Sequence, residues 1–307
     1  MKCPHPVAMF RFLLVFSLLL SPLSCGGGAT EAAGAGHPFL WRINTEPPSY
    51  LYGTLHIPDQ RILQLHPDVE AATTSCDALY IEVSMEESDV MRMIQTKFLP
   101  EGRTLRDYLS DSLYQRVDQF LRRSGASMAD FERMQIWALA ANLTLLEGPT
   151  LHPAREAVDV YLYRTARARG KEVGGIETLD EQIGVFEAFN QEEQIRQLEF
   201  TLQQMEEYEP GKSYLEELIQ SYLSGEDEQI MELFDIYDES DPLWRKFKKL
   251  LLTDRNLRMA ERVAEKLKQN PGKAHFFAFG AAHLTGADGV PELLRAYGFD
   301  AERLHAP

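Results

Sequence analysis

Cysteine is scarce. The 307 residues hold three, Cys3, Cys25 and Cys76. Only Cys76 lies in the part of the chain that reads as folded, so an intramolecular structural disulfide is excluded. Cys76 precedes an apolar run and reads as a small buried residue. Positive charge is also short: 31 Lys and Arg stand against 47 Asp and Glu, a net charge of −16. That balance argues against a nucleic acid backbone as partner. Beyond the amino terminus no apolar run is long enough to be a transmembrane helix. There is no HExxH helix and no serine-centred nucleophile motif. "GGIE" at 174–177 lacks the lysine and the spacing of a phosphate loop.

What is present begins with a leader. Residues 1–24 carry Lys2 and Arg11, then an apolar stretch from Phe12 to Leu20, then small residues. That is the layout of a secretion signal. "SPLSC" ends on Cys25, and the site reads either as lipoprotein cleavage, with Cys25 lipidated, or as plain signal cleavage nearby. The protein is expected to be exported, secreted or held in the cell envelope, with membrane contact only through an anchor at Cys25. Residues 25–37 are rich in Gly and Ala and read as a flexible tether. The folded domain is expected over 38–307.

Two stretches of that domain match each other. "SYLYGTLHIPD" at 49–59 and "FFAFGAAHLTG" at 276–286 share an aromatic run, a glycine and a histidine three residues later. The match pairs Gly53 with Gly280 and His56 with His283. Strands are expected at Phe39–Ile43 and Tyr50–Leu55, the two forming a hairpin, and again at 78–85, 171–177 and 274–280. "DAERL" at 300–304 reads as a final edge strand. From about 104 to 269 the apolar spacing is mostly helical. Helices are expected over about 178–207, 212–236 and 241–269, with Gly125 and Gly170 as helix stops. The fold class is therefore α/β, one domain whose central sheet is built from both ends of the chain around a large helical insertion.

This arrangement sets His56 and His283 just past the carboxyl ends of two strands, the edge where open α/β sheets bind ligands. Both are expected to project from turns outside the core. Imidazole is the commonest protein ligand for transition metals. Glu82 stands as a charge inside the apolar "LYIEVSM", and a buried carboxylate is costly unless paired or on a metal. Two His and one carboxylate make a candidate catalytic metal set. Each Gly-x-x-His taken alone is a weak pattern. Glu177 follows a short strand and is expected to face the same edge. Arg255 and Arg258 pair with carboxylates or a substrate carboxyl, surface salt bridges being the plainer reading. His66 with Glu70, and His152 with Glu156, have the four-residue spacing of a helical ligand pair, against the plainer reading of a solvated face.

These segments resemble the TraB/GumN family, and the Tiki metalloproteases within it. The resemblance runs in order through "FLWRINTEPPSYLYGTLHIPD", "LYIEVSM", "GGIETLDEQIGVF", "RNLRMAERVAEKL" and "HFFAFGAAHLTGADGVPELLRAYGF", from about Phe39 to Leu304. It implies a fold similar to ChaN-like and erythromycin-esterase-like proteins. It also implies a metal-dependent peptidase acting on exported proteins or peptides. His56, His283 and Glu82 would be the metal set, and Glu82, Arg255 and Glu177 the catalytic residues. Glu82 is left as ligand or general base. The ion implied is manganese or cobalt, with iron or zinc as further fits. The alternative is a non-catalytic envelope protein that binds haem or a peptide at the same site.

Overall fold

A computed structural model describes residues 36–146, 150–207, 213–232 and 240–305. The leader, Cys25 and most of the tether lie outside the described residues, as do parts of the expected 212–236 helix. Six strands form one mixed sheet: β1 Leu40–Ile43, β2 Ser49–Thr54, β3 Ala78–Val83, β4 Glu172–Glu177, β5 His275–Gly280 and β6 Ala301–Arg303. Their order across the sheet is β4-β3-β5-β2-β1-β6. Strands β2, β5, β3 and β4 run parallel, while β1 pairs antiparallel with β2, and β6 with β1. The β1–β2 hairpin, the edge strand near the carboxyl end and the sheet drawn from both ends of the chain all agree with the sequence. Among the described residues the one strand from the middle of the chain, β4, interrupts the helical insertion and forms one edge of the sheet.

The parallel core explains the unbroken apolar runs. Every residue of β3 and β5 is buried, as strands covered by helices on both faces must be. Tyr80 of β3 stacks on Phe277 of β5 with ring centroids 5.6 Å apart. Among the described residues no helix is long and apolar enough to cross a membrane. Cys76 is free and buried, and burial pushes its thiol up to about 12.

The helices differ from the expected ones at their breaks. The 178–207 helix is two, Leu179–Glu187 and Gln191–Glu207. The 241–269 helix is Pro242–Lys248 and Asp254–Gln269, joined by a π turn at Lys249–Thr253. Gly125 and Gly170 do stop helices, with φ of 76° and 72°. A helix at Glu87–Thr96 was not expected.

The paired glycines have different jobs. A Cβ on Gly53 would lie 2.6 Å from the Cβ of Phe39 and 3.1 Å from the Cα of Ala281. Its amide donates to the Phe39 carbonyl at 2.7 Å, so β1 and the turn after β5 close on a position with no side chain. Gly53→Ala is expected to destabilise the fold by about 1–3 kcal/mol, the usual cost of overpacking a dense core. Urea denaturation measures this, and an unchanged midpoint would contradict the close approach.

Candidate active site

Four parallel strands bring their carboxyl ends to one edge, and each delivers a side chain there. His56 lies two residues past β2, Glu82 is next to last in β3, Glu177 is last in β4, and His283 ends the 3₁₀ turn Ala281–His283 after β5. Helices add more from their first turns at the same edge: Asp159 from Val158–Ala168, Gln182 from Leu179–Glu187, and Arg255 and Asn256 from Asp254–Gln269. This is the carboxyl edge at which open α/β sheets hold ligands.

Glu82 is the centre. Its Oε1 accepts the Gly280 amide at 2.7 Å and lies 3.7 Å from His56 Nε2 and 3.9 Å from His283 Nε2. Its Oε2 accepts from Arg255 Nη2 at 2.6 Å and from Gln182 Nε2 at 3.2 Å. Arg255 also donates to Glu177 Oε2 through Nη2 at 2.6 Å and Nε at 3.0 Å. Arg258 Nη2 reaches Glu177 Oε1 at 3.3 Å. One guanidinium thus holds two buried carboxylates. Burial opposes ionisation of Glu82, but Arg255, with His56 beside it, overcomes this and holds the carboxyl well below its ordinary value.

The histidines are held from behind. Asn256 Nδ2 donates to the Asp288 carbonyl at 2.8 Å, so its Oδ1 is the acceptor that faces His283 Nδ1 at 2.6 Å. That contact puts the ring hydrogen on Nδ1 and leaves a lone pair on Nε2. Burial and the charge of Arg255 push His283 down to about 3, which keeps it neutral. His56 Nδ1 lies 3.1 Å from Asp159 Oδ1, close but poorly aligned, so neither His56 ring nitrogen makes a well-formed hydrogen bond. Burial alone would lower its pKa; Asp159 and then Glu82 reverse this and hold it up at about 10. A partner behind each imidazole is the usual support of a metal-bound histidine.

A divalent ion fits this donor set. The lone pair on His283 Nε2 and the anionic Glu82 Oε1 face each other in a dry place with no hydrogen between them. His283 Nε2 has no hydrogen-bond partner. Buried polar atoms are nearly always satisfied, and a cation would satisfy the free lone pair on His283 Nε2 while sharing the charged Glu82 Oε1, which already accepts the Gly280 amide.

The structure brings together His56, His283, Glu82, Glu177 and Arg255. It corrects their setting. His283 and Arg255 are 0% exposed and His56 6%, so they belong to the core rather than to turns outside it, and Arg255 is no surface salt bridge. Arg258 joins the same network through Glu177. His66 and Glu70 are not a pair: His66 caps the helix Pro67–Ser75 by accepting the Asp68 amide. His152 and Glu156 are not a pair either, since Glu156 binds Arg164 at 2.6 Å. Asp159, Gln182 and Asn256 were missed. Each is a buried polar residue on the apolar side of an amphipathic helix, which was the available signal.

The TraB/PrgY/gumN family pattern matches residues 39–303. The Danio rerio protein "Metalloprotease TIKI1" is 28% identical over 313 residues, 88% of this chain and 63% of that one. "Metalloprotease TIKI1" of Homo sapiens is 26% identical over 317 residues, 88% and 62%. An "Uncharacterized protein" of Treponema pallidum (strain Nichols) is 22% identical over 301 residues, 92% and 89%. The chain spans about three fifths of the length of the TIKI relatives it matches. No solved structure matches.

Proposed function

The chain belongs to the TraB/PrgY/gumN family, and from that premise we propose that it is a metal-dependent peptidase acting on exported proteins or peptides. The observation that carries this reading is the buried His283 Nε2, which has no hydrogen-bond partner and faces the anionic Glu82 Oε1, with His56 Nε2 beside them. His56, His283 and Glu82 would hold the ion, which would displace the proton that Asp159 and Glu82 keep on His56. Such an ion supplies Lewis acidity, polarising a peptide carbonyl and acidifying water. Two imidazoles and a carboxylate suit manganese or cobalt, and also iron or zinc.

The remaining residues would position this set. Asn256 orients His283, Asp159 orients His56, and Gly280 orients Glu82. Arg255 balances the charge of Glu82 and Glu177, so its place is behind the site rather than on a substrate carboxyl. Geometry favours Glu82 as a ligand over Glu82 as the general base, because its Oε1 faces the same point as both ring nitrogens. The leader read over residues 1–24 would put the activity outside the cytoplasm, free or anchored at Cys25.

The test is peptide hydrolysis by the purified protein with and without chelator. Chelation is expected to abolish cleavage and added manganese or cobalt to restore it. A His56→Ala, His283→Ala double variant is expected to show no metal-stimulated cleavage. Full activity in that double variant would refute the reading. A Soret band on adding haem, with no cleavage under any metal, would favour the binding alternative.

A further inference from the structure

Away from the Glu82 cluster, a second group of metal-ligating side chains meets across 237 positions of sequence. His66 stands at the amino end of the helix Pro67–Ser75, Asp68 is in its first turn, and His305 follows β6. His305 Nε2 lies 2.6 Å from Asp68 Oδ2, and His66 Nδ1 lies 3.7 Å from the same oxygen. The two imidazole rings are 4.5 Å apart, centre to centre. One ligand atom from each of the three residues falls within 4.8 Å of the others. We propose that His66, Asp68 and His305 form a second divalent-cation site that ties the carboxyl-terminal end of the chain to the helix Pro67–Ser75.

The donor set chooses the ion. Two imidazoles and one carboxylate suit zinc and its first-row neighbours, whereas calcium and magnesium want oxygen ligands. With bonds of about 2.0–2.2 Å, ligand atoms around a tetrahedral zinc lie roughly 3.3–3.6 Å apart. The contacts to Asp68 Oδ2, at 2.6 and 3.7 Å, bracket that spacing, so small side-chain movements close the site. The side chains are 24%, 53% and 28% exposed, which leaves room for water as the fourth ligand. An ion on His66 Nδ1 would replace the hydrogen bond that this nitrogen accepts from the Asp68 amide at 3.2 Å. No residue is shared with the Glu82 cluster.

Topology gives the site a purpose. The helix Pro67–Ser75 is the crossover from β2 to β3, the strands that position His56 and Glu82. β6 is an edge strand of three residues, paired only with β1. An ion on His305 would fix the chain just after that short edge and clamp it to the crossover.

The experiment is a zinc titration of the chelator-stripped protein, read as zinc bound per chain after dialysis. Two ions are expected for the wild type, and one each for His305→Ala, for Asp68→Asn and for His56→Ala. His305 lies just after the edge strand β6 and is partly exposed, so its variant keeps the core, which circular dichroism checks. Asp68→Asn keeps the shape and removes the charge. Zinc binding by both variants with the wild-type stoichiometry and affinity overturns the proposal, leaving a His305–Asp68 ion pair only. A single wild-type ion that His56→Ala loses and His305→Ala keeps also overturns it, while sparing the Glu82 site. A single ion with the reverse pattern supports it and sinks the Glu82 site.

Discussion

Replacing Arg255 by alanine is expected to lower stability by about 3–5 kcal/mol, the cost of breaking a buried charge pair by removing one partner. The guanidinium is wholly buried and lies 2.6 Å from both Glu82 Oε2 and Glu177 Oε2. Without it two carboxylates are left facing each other in a dry core, with Gln182 as one shared neutral donor. Glu82 would then lose the largest influence favouring its charged form. Arg255→Lys is expected to recover only part of the loss, because an ammonium cannot fork between two carboxylates. Urea denaturation in the presence of chelator reads this free of any bound metal. A loss below about 1 kcal/mol, the range of an exposed pair, would mean that Arg255 does not carry the charge balance assigned to it.

Glu82→Gln is expected to remove both the ion and the activity. The two carboxylate oxygens already accept from opposite sides, Oε1 from the Gly280 amide and Oε2 from Arg255. A glutamine must turn its NH₂ towards one of these donors, so one donor is left facing another. Either orientation disturbs the position of the oxygen that His56 and His283 face. Metal content measured on the purified variant should therefore fall together with peptide cleavage. If instead the ion stays at wild-type stoichiometry and the rate drops by about 10²–10⁴-fold, Glu82 is the proton acceptor and not a ligand.

The strands were legible because they are buried on both faces. "AHFFAFG" and "ALYIEV" have no polar face to confuse the period, and their limits fall within two residues of those expected. The helix breaks were less legible, though one had a written signal. Asn190 and Glu193 cap each other reciprocally, at 3.0 and 2.8 Å, and "NQEE" carries that Asn-x-x-Glu pattern. Helical spacing ran on through it and hid the break. The sequence repeat also misled in one detail. It aligns Gly53 with Gly280, but the strands pair Gly53 with Phe279 and Thr54 with Gly280. In the site, residues on or just after strands were legible because chain direction alone places them at one edge. Asp159, Gln182 and Asn256 carried only the fainter signal of a polar residue within a helix's apolar stripe, and packing decides what such a residue meets.

The order of the strands has a consequence for how the molecule is made. Strand β5 is the fifth of the six described strands, yet it lies between β3 and β2, which are synthesised about two hundred residues earlier. Until residues 275–280 emerge, β2 and β3 each have an unpaired apolar edge, the kind of surface that invites wrong pairing. Closing the sheet means joining segments far apart along the chain, which is slow. The centre of the sheet is therefore closed late, before only the β6 edge, with Arg255 and Asn256 arriving just before that closure and His283 just after it. Any ion held by His56, Glu82 and His283 would therefore be captured only once β5 has joined the sheet.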